Sequence, residues 1–186
     1  VALGVTALIV VLSVMSGFER DLRTKILGTT AHVVLLRFGD EGVTEVERLL
    51  TRITPIAHVV GAAPFTLHQV MLTSRHGVMG AVLRGIDPER EGRVTDLARN
   101  MKRGTLEDLR RTEDGIILGK SLAATLGVSV GDPVNVVSPV GGGMTPLGMA
   151  PRVKQFTAVG IFDAGMYEYD AGLAYIPIPA AQAFFR

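Results

Sequence analysis

The sequence predicts an α+β domain that follows a membrane-spanning helix. Residues 1–18 are uncharged and strongly apolar, and residues 31–86 have the pattern of a strand, a helix and three further strands. More strands are predicted over residues 115–178, on both sides of a long uncharged loop. Strands and helices in this mixed order are typical of an α+β fold, in which the elements do not alternate as regular strand–helix–strand units.

The composition excludes several classes of function. The net charge of +1 argues against a nucleic-acid partner, because phosphate binding needs a concentrated basic surface. The absence of cysteine excludes thiol catalysis and cysteine-ligated zinc. The chain begins with valine and its last predicted helix stops within about two turns, so we expect a fragment of a longer protein.

The first predicted segment is a membrane helix that continues as a stalk, over residues 1–28. Eighteen helical residues span about 27 Å, close to the bilayer core of about 30 Å. A buried helix of a soluble domain is the alternative, but such a helix usually has a polar face. Beyond it, Phe18, Leu22 and Ile26 recur every four residues among paired charges, and Gly28 is a natural helix end.

The remaining elements follow from periodicity and from glycine and proline signals. One helix is predicted over residues 43–53, and residues 115–127 are predicted to form a strand followed by a helix that ends at Gly127. Asp87 and Pro88 are predicted to start a turn or short helix, and residues 166–170 to form a turn. The other predicted strands are residues 31–38, 56–64, 67–74, 78–86, 134–137, 153–162 and 171–178.

The long loop over residues 138–151 is the most unusual stretch of the sequence. It contains four glycines and three prolines and no charged residue, and it lies where we expect the tip of a β-hairpin. Loops longer than about 12 to 15 residues are usually functional or disordered. We therefore expect an arm, partly ordered by its prolines, whose apolar tip docks on another protein. A flexible loop, or one that folds back on its own domain, fits the same composition.

No catalytic, metal-binding or cofactor-binding residues are predicted. Residues 115–121 imitate a phosphate-binding loop and raise the hypothesis of a nucleotide-binding enzyme. Three residues separate Gly115 from Gly119, whereas that loop needs four, so we expect a strand-to-helix corner. The four histidines occur singly. Asp163, Glu168 and Asp170 lie close in sequence, but nothing in the sequence requires one of them to be desolvated as an acid–base pair would be.

Four segments together resemble the permease subunit of the lipoprotein-releasing ABC transporter, of the LolC and LolE type. They are GVTALIVVLSVMSGFERDLRTKILGTTAHV, GIILGKSLAATLGVSVGD, TPLGMAP and GIFDAGMYEYD. The resemblance implies a MacB-like periplasmic domain after the first membrane helix. A porter-like α+β part would occupy residues 29–110. A mostly β part, residues 111–186, would carry a hairpin called the hook at residues 138–152.

The resemblance also implies a function and partners. The permease would sit in the inner membrane of a Gram-negative bacterium with this domain in the periplasm, and it would be non-catalytic. Its expected partners are a LolA-like periplasmic lipoprotein carrier, a LolD-like ATPase subunit, a second permease subunit, the lipoprotein substrate and membrane lipid. The alternative is a MacB-like exporter or mechanotransmission permease whose domain binds an adaptor or an envelope enzyme.

The same resemblance assigns two groups of partner-binding residues. Asn135 and Val153 depart from the polar or basic residues expected beside the hook. The implied pad at the base of the hook consists of Asn135, Arg152 and Lys154. The implied hook contacts are Pro139, Val140, Met144, Thr145, Pro146, Leu147, Gly148, Met149 and Pro151.

Overall fold

The computed structural model describes residues 2–37, 42–139, 144–145 and 148–185. Its centre is a seven-stranded mixed sheet, and the fold is α+β, as predicted. The strands of this sheet are β1 (Phe65–Thr73), β2 (Val78–Ile86), β3 (Met101–Arg103), β4 (Gly115–Gly119), β5 (Pro133–Ser138), β8 (Arg152–Phe162) and β9 (Leu173–Pro177). Strands β6 (Met144–Thr145) and β7 (Gly148–Met149) form a separate pair. The order in the seven-stranded sheet is β3-β8-β4-β9-β2-β1-β5.

The sheet closes on itself as a barrel. Strand β5 pairs antiparallel with β1 and also with β8, so six strands form a closed circuit and β3 extends the end of β8. Strands β1 and β2 come from residues 29–110, whereas β4, β5, β8 and β9 come from residues 111–186. The predicted division at residue 110 therefore does not coincide with a boundary in the sheet.

Eight helices are described around this barrel. The longest, α1, leads into the domain from the N-terminal side, and the others are short. They are α1 (Ala2–Thr29), α2 (Val46–Ile53), α3 (Pro88–Glu91), α4 (Leu97–Asn100), α5 (Leu106–Arg111), α6 (Lys120–Leu126), α7 (Tyr167–Gly172) and α8 (Ile178–Phe185).

Two apolar clusters hold the elements together. The larger one fills the inside of the barrel, where alternate residues such as Leu72, Leu83 and Phe156 pack against α6 and α8. The smaller one lies outside β4 and β9, where Ile117 and Tyr175 are covered by the segment that contains α3 to α5. Alternate side chains of one strand therefore belong to different clusters, as the two-residue period of a strand requires.

Helix α1 is continuous from the apolar segment to the domain. Within its segment Ala2–Arg23, an 18-residue stretch has a mean hydropathy of 1.9 and is not buried in the structure, so the helix is long and apolar enough to cross a membrane. The other end joins the domain, where the amide of Asp96 donates to the carbonyl of Gly28 over 2.7 Å. The predicted apolar segment and the predicted stalk thus form a single helix.

Most predicted strands and corners are confirmed, but two predicted strands and one predicted turn are wrong, and one helix is shorter than predicted. Residues 31–37 and 56–64 contain no strand, because no other described segment pairs with them; Val33, Leu36 and Val60 are 74%, 79% and 90% exposed. The predicted turn at residues 166–170 is instead largely the short helix α7. The helix predicted over residues 43–53 begins only at Val46.

Candidate functional site

The loop that the sequence singled out connects two strands of a β-hairpin, as predicted. Strands β5 and β8 pair without a bulge from Pro133–Thr157 to Ser138–Arg152. Beyond this last pair, β6 (Met144–Thr145) and β7 (Gly148–Met149) pair antiparallel as a separate two-stranded sheet. The connection therefore has β structure of its own in its described part. We keep the name hook for residues 138–152.

The structure describes the ends of the hook in most detail. Pro139 and Pro151 are exposed at the two ends. The predicted docking role of the tip stays a prediction. Three of its residues lie outside the described part of the chain: Val140, Pro146 and Leu147. For four others the structure describes the strand but not the burial of the side chain: Met144, Thr145, Gly148 and Met149.

The three predicted pad residues do not share one surface. Asn135 pairs with Gln155, on the outside of the barrel. Arg152 and Lys154 pair with Ser138 and Val136, whose side chains are buried on the inside. Because neighbouring residues of a strand point to opposite faces, the two cations and Asn135 are separated by the sheet itself.

Both cations of the predicted pad contact their own domain. The guanidinium of Arg152 donates through Nη1 to the carbonyl of Phe184 over 2.6 Å. The ammonium of Lys154 lies 2.5 Å from Oδ1 of Asp114 and 5.4 Å from the centre of the Phe156 ring. Their positions therefore favour a structural role at the base of the hook, and direct partner contact by either cation stays a prediction.

An open, uncharged face lies outside the barrel beside the hook. Met71, Val137 and Val153 form one row across β1, β5 and β8, and Met71 and Val153 are 47% and 57% exposed. Of the predicted pad, Asn135 lies on this face, whereas the rest of the face was not predicted as a binding surface, although the alternation of each strand was a signal for it. Its outward-facing residues are Gln69, Met71, Thr73, Val78, Gly80, Val82, Asn135, Val137, Val153 and Gln155.

The glycine-rich stretch forms the predicted strand-to-helix corner. Strand β4 ends at Gly119, which caps α6, and Gly127 ends that helix with a φ of 61°. Lys120 pairs through Nζ with Oδ2 of Asp163 over 3.1 Å. The lysine that a phosphate-binding loop would direct at a nucleotide is thus paired with a carboxylate of the same domain.

The carboxylates of Asp163, Glu168 and Asp170 lie in different environments. Asp170 is buried, which nothing in the sequence required, and burial raises the pKa of its carboxyl group. Its Oδ1 accepts a hydrogen bond from the amide of Ala164 over 2.7 Å. The hydrogen bond from Lys120 lowers the pKa of Asp163, and Glu168 is exposed. The arrangement orders the turn before α7.

Nothing in the described part of the chain suggests a metal centre. Across residues 2–37, 42–139, 144–145 and 148–185, no three His, Asp or Glu side chains are grouped so that they could hold an ion. His68, which is half-buried, stacks on Phe185 with 3.6 Å between ring centres, and burial lowers its pKa. This histidine is part of the packing between β1 and α8.

The sequence matches a known protein family along its whole length. The chain matches the MacB-like periplasmic core domain over residues 1–186, and it belongs to that family. At the level of individual proteins, it is 40% identical over 186 residues to the lipoprotein-releasing system transmembrane protein LolC of Neisseria meningitidis serogroup B. The alignment covers 100% of this chain and 44% of that protein.

Two further relatives are more distant. The lipoprotein-releasing system transmembrane protein LolE of Haemophilus influenzae is 26% identical over 188 residues, which cover 99% of this chain and 44% of LolE. The crystal structure of the periplasmic region of MacB from Actinobacillus actinomycetemcomitans aligns with a TM-score of 0.48 and 14% identity over 81% of this chain and 58% of that one. The chain thus spans less than half the length of these LolC and LolE relatives.

Proposed function

We propose that this chain is part of the membrane subunit of an ABC transporter that releases lipoproteins from the inner membrane. The transporter passes each lipoprotein to a LolA-like periplasmic carrier that docks on the hook. The β5–β8 hairpin carries the proposal, because it ends in an uncharged, proline-containing connection with β structure of its own. The similarity to LolC over the whole chain supports the same assignment.

The position of the hook relative to α1 supports docking of a soluble partner. Strand β8 begins at the hook with Arg152 and ends at Phe162, next to the turn at Gly165. A β-carbon on Gly165 would lie 3.6 Å from Cε of Lys25 in α1. Eleven strand residues correspond to about 36 Å at about 3.3 Å per residue. If α1 is anchored in the bilayer, the hook is at the far end of the domain in the periplasm.

The subunit itself is a non-catalytic permease in this proposal. ATP would be hydrolysed by a separate LolD-like subunit, and a second permease subunit would complete the membrane pathway for lipid and lipoprotein. The ion pair of Lys120 with Asp163 supports the placement of ATP hydrolysis on another subunit. It disfavours nucleotide binding at residues 115–121, the stretch whose sequence imitates a phosphate-binding loop.

We further propose that Asn135, on the open face beside the hook, contributes to carrier docking. Asn135 lies next to Val137 on β5 and directly opposite Gln155. Its amide can both donate and accept hydrogen bonds, which suits the polar edge of an interface whose centre is apolar.

Replacement of residues 140–149 by ten residues of glycine and serine in the complete permease tests the docking proposal. The replacement keeps the loop length but removes the apolar side chains. We expect carrier affinity, measured by biolayer interferometry, to fall at least about a hundredfold, as for the loss of an interface hot spot. The unfolding temperature should stay unchanged, since β5 and β8 are intact. Retained affinity would remove the hook from the docking site.

A MacB-like exporter or mechanotransmission permease is the second candidate, favoured by the family match over residues 1–186. In that case the domain would bind an adaptor or an envelope enzyme. The hook replacement separates the two candidates, because it should leave adaptor binding elsewhere on the domain intact while abolishing carrier binding.

A further inference from the structure

Arg152 connects the base of the hook to α8. It is the last residue of the hook and the first of β8, and its Nη1 donates to the carbonyl of Phe184 over 2.6 Å. Hydrogen bonds from a charged guanidinium are among the stronger ones in proteins. This hydrogen bond therefore ties β8 to α8 at the point where the hook begins.

The acceptor of this hydrogen bond is held firmly by aromatic packing. Phe184 is buried, and its ring meets that of Phe156 edge-on, with 6.3 Å between the centres. The next residue, Phe185, stacks on His68 with an angle of 8° between the planes. Strands β1 and β8 therefore both pack on α8 next to the Phe184 carbonyl.

The residue opposite Arg152 on β5 also points into the barrel. Ser138, the last residue of β5, is 2% exposed and forms the final pair of the β5–β8 ladder with Arg152. Both strands therefore enter the hook from a pair of inward-facing residues. The direction in which the hook leaves the barrel therefore depends on the contact between this pair, Ser138 and Arg152, and α8.

We infer that Arg152 is a positioning residue for the hook. By bonding the Phe184 carbonyl in α8 it fixes the direction in which the hook leaves the barrel, and it acts on carrier binding through the hook without touching the carrier. The inference rests on the proposed function, since it concerns the affinity of the same docking site.

Two substitutions in the complete permease test the inference. Arg152→Gln removes the charge, whereas Arg152→Lys keeps a cation that can donate to the Phe184 carbonyl. Carrier affinity is measured by biolayer interferometry. The direction of the hook is measured without carrier by double electron–electron resonance between nitroxide labels on cysteines placed at Thr125 and Thr145. These 186 residues contain no native cysteine, and any elsewhere in the permease are replaced first.

We expect Arg152→Gln to broaden the distance distribution and to weaken carrier binding about tenfold, as for the loss of a hydrogen bond to a charged group. Arg152→Lys should restore the narrow distribution and most of the affinity. Weakened binding with an unchanged distribution would overturn the inference, because Arg152 would then contact the carrier directly. A broadened distribution with full affinity would overturn it as well.

These outcomes are distinguishable from failure of the docking proposal itself. If the glycine–serine replacement of residues 140–149 leaves carrier affinity unchanged, the hook is not the docking site, whatever Arg152 does. If that replacement abolishes binding while both Arg152 variants bind normally, the hook is confirmed and the positioning role of Arg152 is wrong.

Discussion

The backbone of Gly119 lies directly against the backbone of Asp170. A β-carbon on Gly119 would overlap the carbonyl oxygen of Asp170 and would stand 2.8 Å from its α-carbon, which is closer than a carbon side chain can approach. The corner between β4 and α6 thus approaches α7 main chain to main chain at this point. This contact accounts for the glycine at a position that, in sequence, imitated a nucleotide-binding motif.

The Gly119→Ala variant should be strongly destabilised. The obstructing atoms belong to the backbone, so relief of the clash requires α7 to move away from the corner. We expect a loss of about 2 to 4 kcal/mol in the free energy of unfolding, measured by urea denaturation. Gly80→Ala is the matched control, because no atom lies within 4 Å of the position that a β-carbon would take there. Equal stability of the two variants would contradict this packing argument.

Elements whose signals are local were predictable from the sequence. The hairpin of β1 and β2 and the corner of β4 and α6 follow from alternation and from glycine stops within a few residues. Residues 31–37 and 56–64 carry the same apolar pattern without forming strands. A strand needs a partner, and pairing is a non-local property that the pattern of one segment does not contain.

The site was predictable in position but not in geometry. Composition identified the hook, and the strands on either side implied a hairpin. The separation of Asn135 from Arg152 and Lys154 depends on the register between β5 and β8, and the contact of Arg152 with Phe184 joins residues 32 positions apart. The burial of Asp170 likewise depends on α7 packing over β4, which no local pattern reveals.

Glu91 should make the stability of the domain depend on pH. The residue is fully buried, and burial raises the pKa of its carboxyl group, although Arg84 and Thr95 act in the opposite direction. Above the unfolded-state pKa of about 4.3, the unfolded chain releases this proton more readily than the folded one. The free energy of unfolding therefore falls as the pH rises from that value through the raised folded-state pKa.

Comparison of two variants isolates this contribution. Relative to Glu91→Gln, the wild type should lose stability as the pH rises above the unfolded-state pKa of about 4.3, as measured by urea denaturation. Thr95→Val should enlarge the loss, because it removes the hydroxyl that donates to Oε1 of Glu91 over 3.1 Å and thereby helps to stabilise the charged form. Parallel pH profiles for the wild type and Glu91→Gln would show that burial of this carboxyl group has no such effect.

The prolines of the hook should contribute to affinity by limiting its conformational freedom. Replacement of both Pro146 and Pro151 by glycine increases the number of backbone conformations that docking must restrict. We expect carrier binding to weaken by about 0.5 to 2 kcal/mol, measured by isothermal titration calorimetry. Pro55→Gly, in an exposed turn after α2, is the control and should bind normally. Unchanged affinity of the hook variant would mean that its stiffness is irrelevant.

The open face beside the hook should be sensitive to added charge if the carrier covers it. Val153 is 57% exposed on β8 and pairs with Val137, so a lysine there projects from an uncharged surface without disturbing the core. Val153→Lys should weaken carrier binding about tenfold, since docking would desolvate the new ammonium group. The unfolding free energy should change by no more than about 0.5 kcal/mol, as is usual for surface substitutions.

Val130→Lys provides the matched control for this experiment. Val130 is 42% exposed in the loop before β5, at the opposite end of that strand from the hook. The substitution adds the same charge at a distance of about 20 Å, estimated from about 3.3 Å per strand residue. An equal loss of affinity in both variants would indicate a general electrostatic effect. Because screening over about 10 Å confines the effect of an exposed charge at about 0.1 M salt, a loss confined to Val153→Lys assigns the open face to the docking surface.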